Sequence, residues 1–139
     1  MSQENVEIVR GGYVTMNGLL GRGEEIDRSL IAEMWTTDCV LKPSGLLPES
    51  AEMKGHEGIE RFIRIQMEAF DPLQIEPLEF VDAGETVVVP IRFGGKARHT
   101  GMEVTFEVVH VWTLRDGKFA RLDMFVKKGD ALEAVGLRE

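Results

Sequence analysis

The first half of the chain carries apolar residues three and four positions apart, which is the period of an α-helix with one buried face. The first of these runs includes Tyr13 and Met16, and Asn17-Gly18 is expected to end it. A loop at 44–54 is rich in Pro, Gly and Glu but also apolar, which suits a lid over an opening. The pattern predicts helices at 2–17, 24–35 and 58–70, with a short strand at 39–42.

In the second half the apolar positions alternate with polar ones, which is the period of a strand with one buried face. Pro90 cannot donate a ladder hydrogen bond, so its strand is expected at an edge or at a bulge. Gly94-Gly95 is expected to begin a connection that runs to Gly101. The predicted strands are 78–81, 87–93, 102–114 and 119–126, followed by a short helix at 130–135.

Helices first and strands afterwards is the order of an α+β domain. A strand as long as 102–114 twists strongly, and a sheet of such strands curls. Three N-terminal helices packed across its concave face leave a cone with a cavity at the wide end. We therefore expect one α+β domain over 1–139, built on a cone-shaped, curved antiparallel sheet that encloses a largely apolar pocket.

The formal net charge of −8 disfavours several classes of partner. No Lys/Arg stripe with interleaved aromatic residues offsets it, so neither nucleic acid nor an anionic membrane is an expected partner. No apolar stretch is long enough to span a bilayer, and the polar N-terminus does not resemble a secretory signal. Cys39 is the only cysteine, so no intrachain disulfide forms and the cytoplasm is the expected compartment.

Six segments of the chain resemble one known family. They cover nearly the whole chain in the family's order, and they resemble the SnoaL-like (polyketide-cyclase-like) branch of the nuclear transport factor 2-like, ketosteroid isomerase-like superfamily. The resemblance implies a single SnoaL-like domain with a cystatin-like fold, and a homodimer formed through the outer face of the sheet. It leaves the activity open, because this scaffold hosts isomerases, cyclases, hydrolases, binding proteins and interaction modules. The segments are 13–18, 30–43, 54–59, 80–84, 110–118 and 131–137.

His110 is the first candidate for chemistry, because it interrupts an apolar series on one face of the long strand. A histidine has a reference pKa of about 6.5 and can exchange a proton near neutrality. By resemblance, His110 lies where ketosteroid isomerases carry an acidic hydrogen-bond donor of their oxyanion hole. A satisfied core histidine is the alternative interpretation.

Lys42 and Tyr13 are the other catalytic candidates. By resemblance, Lys42 stands where the isomerases carry their carboxylate base, and Gly12 stands where they carry their tyrosine. Lys42 could hold a carbonyl or carboxylate group or form a Schiff base, but a solvated lysine is the more common case. Tyr13 is expected to face the pocket only in part or to pack on the second helix, and Gly12 to widen the pocket. Asp123 is expected to point outward beside Arg121 by strand parity.

The apolar faces of the predicted elements supply the expected pocket wall. Trp35 and Trp112 are more often core residues, but flat aromatic walls suit a planar ligand. No spacing typical of a metal site or of a phosphate-binding loop is present, so neither a metal nor a cofactor is expected. The predicted pocket-lining residues are Gly12, Met16, Trp35, Phe62, Phe106, Val108, Trp112, Leu122 and Met124.

Three functions follow from this pattern. The first is a cofactor-independent isomerase or aldol-type cyclase that moves a proton on an apolar carbonyl compound, with His110 as general acid or base and Lys42 or Tyr13 stabilising the oxyanion. The second is a binding module for an apolar metabolite. The third is a dimerisation or adaptor domain whose cone is filled by side chains. The base and tyrosine of the isomerases are missing from the matching positions, so ketosteroid isomerase activity itself is not implied.

Overall fold

Helices and strands follow one another along the chain in the computed structural model, which describes residues 2–22, 28–43 and 52–137. The elements of the N-terminal half are α1 (Ser2–Arg22), α2 (Arg28–Met34), β1 (Trp35–Lys42), β2 (Met53–Lys54) and α3 (Gly55–Ala69). The elements of the C-terminal half are β3 (Phe70–Pro77), β4 (Val81–Ala83), β5 (Thr86–Ala97), β6 (Glu103–Arg115), β7 (Lys118–Phe125) and α4 (Lys128–Ala134).

The strands form one open sheet in the order β2-β1-β7-β6-β5-β3, with β4 pairing to β5 beside β3. All of these pairs are antiparallel except β1 with β7, which run parallel. The helices α1, α2 and α3 bury their apolar stripes with the inner face of the sheet in one core. The predicted α+β class with a curved sheet is therefore confirmed.

The period-two pattern places the inner face correctly. Val87, Val89 and Ile91 of β5 are at most 1% exposed and belong to the main core. The alternate residues of the same strands face outward, where α4 packs Ala131 and Leu132 against Val88 and its neighbours. Alternation thus separates a core that contains the cavity from a second cluster on the outer face.

The predicted end of the first helix is wrong, since α1 continues past Asn17-Gly18 to Arg22. The side chain of Asn17 hydrogen-bonds to the sheet and does not cap the helix. Its Nδ2 donates to the Ile75 carbonyl oxygen at 2.7 Å, and its Oδ1 accepts from the Ile75 N–H at 2.8 Å. Both groups belong to β3, the last strand on that side of the sheet. Asn17 therefore hydrogen-bonds to the outer edge of β3 as a neighbouring strand would.

Three strand predictions also differ from the structure. Strand β3 is not among the predicted strands, and 78–80, which alternate in sequence, lie outside any strand. Pro90 lies in β5, which pairs with β6 on one side and with β3 and β4 on the other. It falls between the stretches of β5 that pair with β3 and β4, so no backbone N–H is needed there. Gly94-Gly95 are part of β5 and do not begin a connection. Glycine is needed at position 94 because a β-carbon there would collide with the Val104 carbonyl oxygen of β6.

Two further boundaries bear on the cavity. Strand β1 begins at Trp35 and is therefore longer than the predicted 39–42, which brings Trp35 into the sheet. Of the proposed lid, 44–51 lie outside the described residues, and Met53–Lys54 pair with β1 as β2.

Gly12 belongs to the wall of the cavity, and it is also a point of close packing between α1 and the core. A β-carbon on Gly12 would stand 2.8 Å from Cζ of Phe119. That ring is only 2% exposed and is fixed between Trp35 and Trp112, at centroid distances of 5.4 and 4.6 Å. The glycine lets α1 contact the aromatic core directly.

Gly11 provides a matched control for Gly12, because no atom lies within 4 Å of the place that a β-carbon on Gly11 would take. We expect Gly12→Ala to lower the free energy of unfolding by about 1–3 kcal/mol through overpacking. We expect Gly11→Ala to raise it by up to about 1 kcal/mol through helix propensity. Urea unfolding followed by circular dichroism measures both, and equal shifts in the two variants would contradict the contact described.

Candidate functional site

A cavity lies between α1, α3 and the inner face of the sheet. It encloses about 700 Å³ including its open mouth, of which about 60 Å³ admits the centre of a water-sized sphere. Its wall is apolar except for Tyr13, Gln66, His110 and the indole nitrogens. The remaining lining residues are Gly12, Met16, Trp35, Leu41, Ile59, Phe62, Ile63, Leu73, Ile75, Ile91, Phe93, Val108, Trp112, Leu122 and Met124.

His110 stands on β6 in register with Val89 of β5 and Met124 of β7, both buried. Strand parity turns its ring to the inner face along with Val108 and Trp112. The histidine is 5% exposed and forms part of the cavity wall. It is thus a polar ring held among apolar neighbours, as the sequence pattern indicates.

The hydroxyl of Tyr13 joins His110 to Trp112. The Trp112 Nε1–H donates to the Tyr13 hydroxyl oxygen at 2.8 Å, and that oxygen lies 2.7 Å from Nδ1 of His110. An indole nitrogen can only donate, so the tyrosine proton remains available for the imidazole. Nδ1 of His110 then accepts from Tyr13, which pairs all three of these atoms and places the histidine proton on Nε2.

The three rings have fixed mutual orientations. The planes of Tyr13 and His110 are within 4° of parallel, and the Trp112 plane is nearly perpendicular to both, at 89° and 87°. Because the three side chains come from α1 and β6, their contacts tie the first helix to the middle of the sheet. The orientation of the imidazole is set before any ligand enters.

Burial favours the uncharged form of both titratable groups. It lowers the pKa of His110 to about 3, because a charged imidazolium would lose its hydration in this apolar wall. Burial also raises the pKa of Tyr13 well above its ordinary value, and the hydrogen bond from Trp112 only partly opposes that effect. With this lowered pKa, His110 is a weak base at neutral pH. It can act as a neutral donor through Nε2–H.

The Nε2 atom is the free end of this chain of hydrogen bonds. It has no hydrogen-bond partner among the described residues, and it is not among their fully buried unpaired polar atoms, so it remains reachable from the cavity. An unpaired donor in an apolar wall favours a ligand that brings an acceptor.

Lys42 lies away from the cavity. Its neighbour Leu41 lines the wall, so alternation turns Lys42 to the outer face, where it is in register with Asp123 of β7. Asp123 indeed points outward, as predicted, with its carboxylate 2.8 and 3.0 Å from the Arg121 guanidinium. Lys42 therefore does not line this cavity, in contrast to its predicted place in the site.

Two other residues differ from the predicted wall. Phe106 is not in the wall; its ring is 43% exposed and packs on Phe93 and Phe70 at centroid distances of 5.3 and 6.3 Å. Gln66 of α3 is in the wall although it is not among the predicted lining residues. The sequence indicates this position, because Gln66 falls three residues after Ile63 and four after Phe62 on the apolar face of α3.

The described part of the chain shows neither a metal site nor a membrane span. Residues 2–22, 28–43 and 52–137 contain no group of three or more histidine, cysteine or acidic side chains placed to hold a metal ion. None of the helices described here is long and apolar enough to cross a membrane.

A family comparison matches residues 23–122 to the SnoaL-like domain. No curated protein matches the chain. Among solved structures, one similar chain is a putative SnoaL-like polyketide cyclase from Jannaschia sp. CCS1. It is 20% identical with a TM-score of 0.74, over 99% of this chain and 94% of that chain.

Two further solved structures share the fold. A protein from Catenulispora acidiphila DSM 44928 with a ketosteroid isomerase-like fold, in complex with trimethylamine, is 15% identical with a TM-score of 0.71, over 94% and 93% of the two chains. The epoxide hydrolase/cyclase-like enzyme SalBIII, described in pyran ring formation in the polyether salinomycin, is 22% identical with a TM-score of 0.72, over 94% and 97%. At these identities the likeness establishes the fold.

The lowered pKa of His110 predicts a pH dependence of stability. Below pH 6.5 the unfolded chain binds a proton that the folded chain excludes down to about pH 3, so stability is lost as pH falls through this window. The slope is up to about 1.4 kcal/mol per pH unit. We expect wild type to lose roughly 2 kcal/mol more than His110→Gln between pH 7.5 and pH 5 in urea unfolding. Parallel losses in the two proteins would contradict a neutral buried imidazole.

Removal of the Tyr13 hydroxyl leaves two buried groups unpaired, the Trp112 N–H and the His110 Nδ1 atom. Each unpaired group costs about 1–3 kcal/mol, so we expect Tyr13→Phe to destabilise the protein by about 2–4 kcal/mol. Thermal and urea unfolding measure the change. A loss below about 0.5 kcal/mol, the size of an ordinary surface substitution, would show that the hydroxyl does not join these residues.

Proposed function

Because the chain belongs to the SnoaL-like domain family, we propose that it acts on an apolar carbonyl compound held in the cavity, as an isomerase or aldol-type cyclase that needs no cofactor. The observation that carries this proposal is the unpaired Nε2–H of His110, a neutral donor in an otherwise apolar wall. A pocket protein of the cyclase and isomerase type agrees with the family and with the structures that share its fold.

His110 has a different role in this proposal from that of a base. Its Nδ1 accepts from Tyr13, so the ring can only donate, and its lowered pKa makes it a poor proton acceptor. The Nε2–H would hold the carbonyl oxygen of the ligand and stabilise the negative charge that grows there as an enolate forms. Such a donor acts strongly in this setting because its orientation is fixed and little water surrounds it.

The proton leaving carbon would pass to water at the cavity mouth. Among the described residues, no carboxylate or lysine lines the cavity to receive it. The reaction is therefore one whose carbon acid is already fairly acidic, as in a ketone that carries a second activating group. Ring closure would then need only the enolate and an electrophilic carbon of the same molecule, brought together by the wall.

The absence of any charged group from the described wall also favours a second function, binding without chemistry. In that case His110 would anchor one polar end of an apolar metabolite. The two functions differ in one respect: only the enzyme lowers the barrier to enolate formation.

Exchange of α-hydrogen for deuterium in 2-tetralone, an apolar ketone, tests the first function without knowledge of the natural substrate. We expect wild type to accelerate the exchange, His110→Leu to abolish the acceleration, and His110→Gln to retain part of it because an amide N–H can replace the donor. His99→Gln is the matched control, since His99 lies exposed in the turn after β5. Proton NMR in deuterated buffer measures the rate.

The pH profile of the same exchange adds an independent reading. With a neutral donor, the acceleration should show no inflection near pH 6.5, because His110 does not titrate there. An inflection at that pH that disappears in His110→Gln would replace the donor role with a basic one. Binding of 2-tetralone without accelerated exchange would support the binding function instead.

A further inference from the structure

The cavity wall contains a second polar side chain, Gln66, on the helical side. At about 100° per residue, Gln66 lies about 20° from Ile59 around α3, between Phe62 and Ile63. All three of these neighbours line the cavity with it. Gln66 therefore occupies the middle of the apolar face of the helix, where an aliphatic residue would be expected.

No hydrogen bond to the described residues holds the Gln66 side chain in place. Its backbone carbonyl accepts from the Phe70 N–H, but its carboxamide makes no hydrogen bond to any described residue. Its amide atoms are not among the fully buried unpaired groups, so they remain accessible. The carboxamide offers two donors and an acceptor on a wall that provides no partner for them.

We propose that Gln66 is a specificity-determining residue that binds a second oxygen function of the ligand. This inference rests on the proposed function, in which Nε2–H of His110 holds the first oxygen. The sheet and the helix would each supply one neutral hydrogen-bonding group, with apolar and aromatic surface between them. The ligand is then an uncharged, largely apolar molecule with two separated oxygen groups, a ketone and a hydroxyl or second carbonyl.

The neutrality of both groups restricts the ligand further. A carboxylate or an ammonium group would lose its hydration without gaining an opposite charge from any described wall residue. A neutral hydroxyl or carbonyl exchanges its hydrogen bonds with water for those of the carboxamide at little net cost. The two polar positions therefore favour ligands with neutral hydrogen-bonding groups and disfavour charged ligands.

Binding of 2-tetralone and of its monohydroxylated isomers on the aromatic ring tests this inference. The chain has two tryptophans, Trp35 and Trp112, and both are in the cavity wall, so quenching of their fluorescence reports occupancy. We expect at least one hydroxylated isomer to bind wild type about 2- to 12-fold more tightly than 2-tetralone, the range of one neutral hydrogen bond.

Gln66→Leu should reduce this preference to about 1-fold and leave the affinity for 2-tetralone unchanged or slightly higher. The variant is expected to fold, because leucine suits both a helix and an apolar wall. Gln74→Leu is the matched control, since Gln74 is exposed on β3 and should keep the wild-type preference.

A preference that persists in Gln66→Leu, or that is absent from wild type for every isomer, would overturn the role of Gln66 alone, provided that 2-tetralone binds and that His110→Leu weakens its binding. Failure of 2-tetralone to bind, or binding unaffected by His110→Leu, would overturn the proposed function and this inference together.

Discussion

The hydroxyl of Tyr13 is the interaction on which the site depends. It is the only hydroxyl bonded to both Trp112 and His110 in the described core, and it supplies the one acceptor and the one donor that these two partners lack. Without it, two polar atoms would face an apolar interior, and the imidazole would be free to turn. The first helix therefore contributes a group that orients a side chain on the sheet.

Burial gives the site its chemical character. The apolar surroundings of the cavity lower the pKa of His110 and raise the pKa of Tyr13, so that both side chains are neutral over a wider pH range. A histidine buried in this apolar wall is a weak base at neutral pH. Strand periodicity identifies the correct residue, but the ordinary pKa of a histidine does not apply to it, because that value belongs to an imidazole in water.

The sequence predicts the structure correctly where the hydrophobic period is strict. Alternation puts His110 and its apolar neighbours on the inner face of β6, and it turns Asp123 outward. Prediction fails where tertiary contacts decide. Asn17 resembles a helix end, but its side chain hydrogen-bonds to β3. The segment Phe70–Pro77 contains two prolines, which are unfavourable in a strand interior, but it becomes a strand by pairing with β5. Gln66 lies on the apolar face of its helix but is not among the predicted lining residues, because it is polar. His110 is a polar residue in an apolar series too, and there the polarity identifies it as a candidate.

The parallel pairing of β1 with β7 has a consequence for how the chain reaches this structure. Trp35 pairs with Phe119, 84 positions later (119 − 35), so β1 has no partner on that side until nearly the whole polypeptide has been made. On a ribosome that adds about 5–20 residues per second, the aromatic face of β1 must wait several seconds for its partner. Contacts of such long sequence separation also slow folding after release. During synthesis, the inner face of β1 thus stays without its β7 partner until the last strand has been made.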